Sequence, residues 1–385
     1  MTSPATDLTR RIWIKAETSY DTYVALAATD GVDADLQLVP DISYTKIESH
    51  VGTASVQGFI PGDQDNKWNC ETLIRPGALG VAPDIGALLA HALGAETIVG
   101  GTSVVYEIDD TCPSAGLEFA AHAGSDGQYY ARGNGGWAES LTIEASQGSM
   151  PKIKASGGYA THSAIKAGAA CTAVEDAGES IIAVDSDEAA CLAGEPIVKF
   201  DTEDNGGDGY QVTSIDYAAD TFTVSPVLVG PTEIGDKIYP VVPSHTLTGT
   251  PIGIQHMVTI GGVEFGILKA TISMTLSIKP RRDGSSDVPV GLIGPVIREF
   301  TGELELYERE VSTPVTGAAW FNGIKAVNLR LGPDTPGARC KPQMPACQLK
   351  VVKENWSTED GLRVTLAFMA KQSAVAGDEF SLIFD

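Results

Sequence analysis

Catalytic or metal chemistry in this chain would have to come from its histidines, cysteines and clustered carboxylates. The histidines His50, His91, His122, His162, His245 and His256 never stand four residues apart, the spacing that puts two imidazoles on one helix face. The cysteines Cys70, Cys112, Cys171, Cys191, Cys340 and Cys347 are scattered and include no Cys-x-x-Cys, so zinc is not expected. Free, mostly buried thiols are expected instead, with Cys171/Cys191 and Cys340/Cys347 as the pairs that oxidising surroundings would test. Asp201-Thr-Glu-Asp-Asn205-Gly206 opens like a calcium loop, but the twelfth position, where a bidentate acid should close it, is Val212. That stretch reads as a solvated hairpin turn. Gly133-Asn-Gly-Gly136 is too short to cradle a pyrophosphate and also reads as a turn. His91, between Leu89 and Leu93, reads as a structural imidazole. With no G-x-S-x-G and no Walker A run, we assign no catalytic, cofactor-binding or metal residue and expect no enzyme.

The balance of charge narrows the partners. Asp plus Glu number 50 against 26 Lys plus Arg, a net charge of −24 over 385 residues. Tight binding to nucleic acid requires cations that neutralise phosphates, so a basic nucleic-acid binder is excluded, whereas a protein that lets DNA pass without gripping it is not. With 43% hydrophobic residues the chain is globular, and 42 Gly and 21 Pro punctuate many short strands. Residues 1–11 are polar and no apolar run reaches the length of a membrane span, so cytoplasmic synthesis and no membrane contact are expected.

The elements read as mainly β with one short helix. Pro83 and Asp84 start that helix, Ile85, Leu88, Leu89, Ala92 and Leu93 form its apolar stripe, and Gly94 ends it; the span is about 84–93, laid across a sheet. Residues 41–69 are polar and turn-prone without clear periodicity, and read as a solvated loop, a functional loop, a long exposed hairpin or disorder. Short strands with regular turns mark 164–245 as an inserted small β domain within a parent domain of 1–163 plus 246–385. Gly261-Gly262 marks a hairpin turn, and Gly332–Pro345 reads as an irregular crossover. In the parent's second part, Ile272, Met274, Leu276 and Ile278 alternate strictly with Thr271, Ser273, Thr275 and Ser277. Leu304 and Leu306 alternate with Glu303 and Glu305.

Two stretches carry a resemblance. Ile74-Arg75-Pro76, Pro83-Asp-Ile-Gly-Ala-Leu-Leu89 and Leu93-Gly94, with Trp13-Ile-Lys-Ala-Glu-Thr-Ser-Tyr20, resemble the tail tube (major tail) proteins of long-tailed, siphovirus-type bacteriophages. The resemblance implies a β-sandwich with a covering helix, and stacked, hexameric rings in the virion tail that conduct DNA into the host. It implies self-association and contact with other tail proteins (tape measure, terminator and distal tail). Double-stranded DNA would pass without tight binding, and no cofactor is implied. It places the candidate inter-ring stacking loop at Gly52, Gly58, Pro61, Asp63 and Asp65; the insertion is expected on the tube exterior, because a domain of its size would clog a lumen. Lumen-facing candidates are Glu303, Glu305, Thr271, Ser273, Thr275 and Ser277; the competing reading puts the same face on the outer surface. The alternative function is a β-sandwich binding or decoration protein of a virus or bacterial surface.

Overall fold

The computed structural model describes residues 10–47, 58–111, 113–121, 129–166, 169–184, 192–193, 197–242, 245–247, 249–283, 286–293, 297–307, 323–357, 361–373 and 377–385. The chain opens with β1 (Arg11–Ala16), β2 (Gly31–Val32) and β3 (Ala34–Val39). Among the described residues β4 (Ile42–Ile47) and β5 (Gly58–Gln64) pair only with each other, so 41–69 contains a hairpin whose tip is outside those residues. β6 (Asn66–Leu73) then re-enters the body beside β3.

The helix α1 spans Gly86–Leu93, two residues shorter than expected. Asp84 does not cap it: the position before the first turn is Ile85, and the Gly86 amide bonds to the Pro83 carbonyl instead. Asp84 is buried, and burial raises its carboxyl to about 6 against the opposing pull of the Ile85 backbone and Arg75. The expected stripe holds. Ile85, Leu88, Leu89 and Leu93 are all fully buried, each worth about 1.5–3 kcal/mol relative to exposure. Gly94 stops the helix at φ +108°, its amide bonded to the Ala90 carbonyl. β7 (Gly94–Val99) and β8 (Ser103–Ile108) follow as a hairpin, then β9 (Ala115–Ala121) and the long β10 (Tyr129–Ser146). α1 packs against β1, β7, β8, β9 and β10.

Gly133–Gly136 is not a turn: it lies inside β10. A Cβ at Gly133 would come 2.8 Å from the Tyr159 ring, and one at Gly136 would come 2.6 Å from the Ala115 carbonyl oxygen. The register against β9 shifts between these two glycines. They serve close strand approach and a bulge rather than chain reversal. β10 then bends from one sheet into another before β11 (Lys152–Tyr159) and β12 (Thr161–Lys166).

The next stretch contains β13 (Ile181–Ala183), β14 (Leu192–Ala193), β15 (Ile197–Phe200), β16 (Tyr210–Asp216), β17 (Thr221–Ser225) and β18 (Ile238–Pro240). Five of these form one antiparallel sheet in the order β13–β17–β16–β15–β18, whereas β14 pairs with β12 of the parent. The division expected at 164 falls inside β12. The inserted sheet has no separate core either. Its Phe200, Tyr210, Phe222 and Ile238 pack in one cluster with Trp13, Ala120, Tyr130 and Ile165 of the parent.

The chain ends with β19 (His256–Ile260), β20 (Val263–Leu276), β21 (Lys279–Arg281), β22 (Gly291–Ile293), β23 (Arg298–Tyr307), β24 (Gly323–Leu331), β25 (Cys340–Ser357), β26 (Gly361–Ala370) and β27 (Ser381–Phe384). Gly332–Pro345 is irregular only as far as Arg339. Pro345 and Ala346 oppose Ala326 at a register shift in β25, a bulge where a residue without an amide hydrogen can sit in a strand.

A first sheet runs β2–β1–β9–β10–β12–β14. A second runs β3–β6–β11–β10–β20–β23–β26–β25, and β25–β24–β19–β20 closes a circuit. α1 and the inward residues of both sheets fill the main core. The fold is mainly β, with one α-helix among the described residues.

Candidate functional site

The strict alternation in β20 sorts its side chains. Ile272, Met274 and Leu276 are 5% exposed or less, while Thr271 and Ser273 are half-buried and Thr275 is exposed on the other face. Register then joins strands that the sequence separates. Thr271 lies between Glu144 of β10 and Glu303 of β23, Ser273 between Thr142 and Thr301, and Thr275 between Ser140 and Glu299. The Thr142 hydroxyl donates to Ser273 Oγ at 3.4 Å. Glu303 and Glu305 share this outer face with the β20 hydroxyls, as the alternation predicts. Ser277 is exposed beyond the strand end, its amide bonded to the Ile297 carbonyl. Inward, Gly302 admits the Phe368 ring, which would come within 2.3 Å of a Cβ there.

The cations on this face were not legible. Lys152 and Lys154 on β11 reach the carboxylates of neighbouring strands: Lys152 Nζ is 2.7 Å from Glu71 and Lys154 Nζ is 2.8 Å from Glu144. The Lys152 hydrogen bond holds the Glu71 carboxyl below its usual range. Lys269 lies opposite Glu305, whose carboxylate is 3.8 Å from Arg363. The face is a ladder of hydroxyls and interleaved opposite charges, not a field of carboxylates. Around Gly302 it dips into an open depression of about 600 Å³ lined by Lys269, Thr271, Ser273, Thr301, Glu303 and Lys350, among others. Strand patterns show which residues point outward, but only register shows which face one another.

Of the loop candidates, Gly52 lies outside the described residues. Gly58 and Pro61 belong to β5, Asp63 is an exposed β5 residue, and Asp65 is exposed just after it. The hairpin base is moored to the segment after β20: the Gln64 amide bonds to the Asp287 carbonyl, and Arg282 stands 3.7 Å from Asp63 and 4.0 Å from Asp65.

A second feature lies on the far side of the first sheet. Glu118 of β9 and Arg132 of β10 are cross-strand neighbours, 1% and 2% exposed. The Tyr23 ring stacks on the guanidinium, 4.3 Å from ring centre to Cζ. Burial pushes the Glu118 carboxyl up to about 8, with Asp30 pushing the same way and Arg132 and Lys15 opposing. Beside this pair opens a cleft of about 630 Å³ lined by Asp21, Thr22, Tyr23, Gln64, Arg132, Asn134, Thr161, His162, Ser163, Val288 and Gln211 of the inserted sheet. No motif in the sequence marks it, because its walls come from six separate stretches.

His91 is buried on α1 with Nδ1 2.5 Å from the Pro113 carbonyl, and burial lowers its pKa to about 4. Cys70, Cys171, Cys340 and Cys347 are buried free thiols, and burial lifts Cys70 and Cys347 to about 12. Cys191, the expected partner of Cys171, is outside the described residues. Among the described residues no three His, Cys, Asp or Glu side chains converge as a metal site, and no helix is long and apolar enough to cross a membrane. No protein-family model matches the chain, and no curated protein matches it.

Proposed function

We propose that this chain is a structural, self-assembling subunit of a conduit for DNA: a tail tube protein of a long-tailed bacteriophage, forming stacked hexameric rings in the virion tail. The observation that carries the reading is the outer face of the second sheet. A continuous sheet is sealed by apolar side chains on one side and paved on the other with short hydroxyls and interleaved charges of both signs, some of them paired. Duplex DNA carries one phosphate charge per about 1.7 Å of its axis, and an ordered excess of lysine or arginine would hold it. Lys152, Lys154 and Arg363 are already engaged by carboxylates, so they offer phosphates little to exchange for their counterions. In this reading Glu303, Glu305 and the β20 hydroxyls line the channel, the β4–β5 hairpin reaches the next ring, and the inserted sheet lies outside. The tape measure, terminator and distal tail proteins are its neighbours, and no chemistry is catalysed.

Negative-stain microscopy of the purified chain tests this. Stacked rings or tubes are expected; particles that stay monomeric across concentration and salt would overturn it. The alternative, a β-sandwich binding or decoration protein, draws its support from the polar cleft beside Arg132.

A further inference from the structure

We infer that the cleft between the first sheet and the inserted sheet is a binding site for a neutral, hydroxyl-rich ligand of one or two sugar rings. Its volume of about 630 Å³ lies in the range of small-molecule sites, roughly 300–1,000 Å³. Its lining selects against ions. An anion drawn to Arg132 would meet the Asp21 carboxylate in the same cleft; a cation drawn to Asp21 would meet Arg132. What remains is a dense set of mixed donors and acceptors on Asn134, Thr161, His162, Ser163 and Gln211. Amides and hydroxyls both donate and accept, as sugar hydroxyls do, so a polyol matches this lining better than an ion or an apolar ligand. Burial lowers the His162 pKa, which favours the neutral imidazole, and its Nδ1 is 3.3 Å from the Tyr159 hydroxyl. Among the described residues, neither the Asn134 amide nor the Ser163 hydroxyl has a side-chain hydrogen-bond partner.

The cleft is also preformed. Glu17 accepts from the Asp21 amide at 3.1 Å and from the Gly135 amide at 2.7 Å, pinning the loop to β10. Thr161 Oγ1 donates to Asp21 Oδ1 at 2.6 Å, and Tyr23 covers Arg132. Little ordering is therefore required when a ligand enters, which favours binding by weak neutral hydrogen bonds. The inserted sheet supplies Gln211, so the insertion completes the site. None of this depends on assembly of the chain.

The test is saturation-transfer NMR and calorimetry on the full chain at pH 7 with cellobiose, lactose and chitobiose at millimolar concentration, and with inorganic phosphate. At least one sugar is expected to bind. Asn134→Ala and Gln211→Ala should each weaken it by about three- to tenfold, the effect of losing one or two neutral hydrogen bonds, with an unchanged near-ultraviolet dichroism spectrum. Gln211 lies on the inserted sheet, so its variant reports even if Asn134→Ala disturbs β10. No binding by any of the three sugars, binding indifferent to both substitutions, or tighter binding of phosphate than of sugar would each overturn the assignment.

Discussion

Glu118 is buried directly across from Arg132 on the neighbouring strand. Its folded pKa of about 8 exceeds that of an exposed glutamate because burial costs the charged form more than Arg132 returns. A raised carboxyl pKa means that the folded state holds its proton more tightly than the unfolded one. Its contribution to stability is full below about 4.5 and declines as pH rises through 8. Glu118→Gln mimics the neutral acid, so thermal melting should fall less between pH 5 and 8.5 in the variant than in the parent chain. A variant that melts lower than the parent at pH 8.5 would show an ionised Glu118 paired with Arg132. The outer face of the second sheet yields a different test. Glu303→Lys with Glu305→Lys would place two ammonium groups near Lys269, Lys350 and Arg363, replacing a balanced ladder by a basic cluster. In particles built from this variant, genome ejection should slow at low salt and recover at high salt, because phosphate contacts weaken steeply with salt. Normal ejection at low salt from well-formed tubes would remove this face from the channel.

At the scale of elements, the β4–β5 hairpin is the separable part. Among the described residues its strands pair only with each other, and its base is held by Asp287 and Arg282. Replacing residues 48–57 with an Asn-Gly turn preserves the ribbon through Ile47 and Gly58. The shortened chain should keep its melting temperature yet fail to form tubes under the microscope. Long tubes from that chain would refute the stacking role. α1 behaves oppositely. Its stripe is fully enclosed by both sheets, so the helix is part of the core and not a lid.

For the whole molecule, the inserted sheet cannot be removed cleanly. Excising residues 169–242 would bare Trp13, Tyr130 and Ile165, which lie in one cluster with Phe200, Tyr210 and Phe222. Large aromatic side chains bury about 150–250 Å² each, so the exposed patch would be well placed to aggregate. The excised chain should be largely insoluble by size-exclusion chromatography, although the flanks of 164–245 look, on sequence, like a simple junction. A soluble monomer would show that the first sheet tolerates exposure of that face.

Local pattern was enough for the features that depend on neighbours in the chain. The α1 stripe and its glycine stop, the β20 alternation and the Gly261-Gly262 hairpin were all legible, since helix and strand periods sort side chains within one element. Pairing across elements was not. Gly133–Gly136 has turn composition, yet its glycines answer to Tyr159 and the Ala115 carbonyl, contacts that exist only once strands pack. The lysines of β11 look like an ordinary solvated face until register sets them against Glu71 and Glu144. Trp13 reads as one more residue of a first strand, whereas the inserted sheet, far along the chain, covers it. Glu118 and Arg132 become a buried pair, and Asn134, Ser163 and Gln211 become one cleft, because burial and charge at a site sum over residues brought together through space.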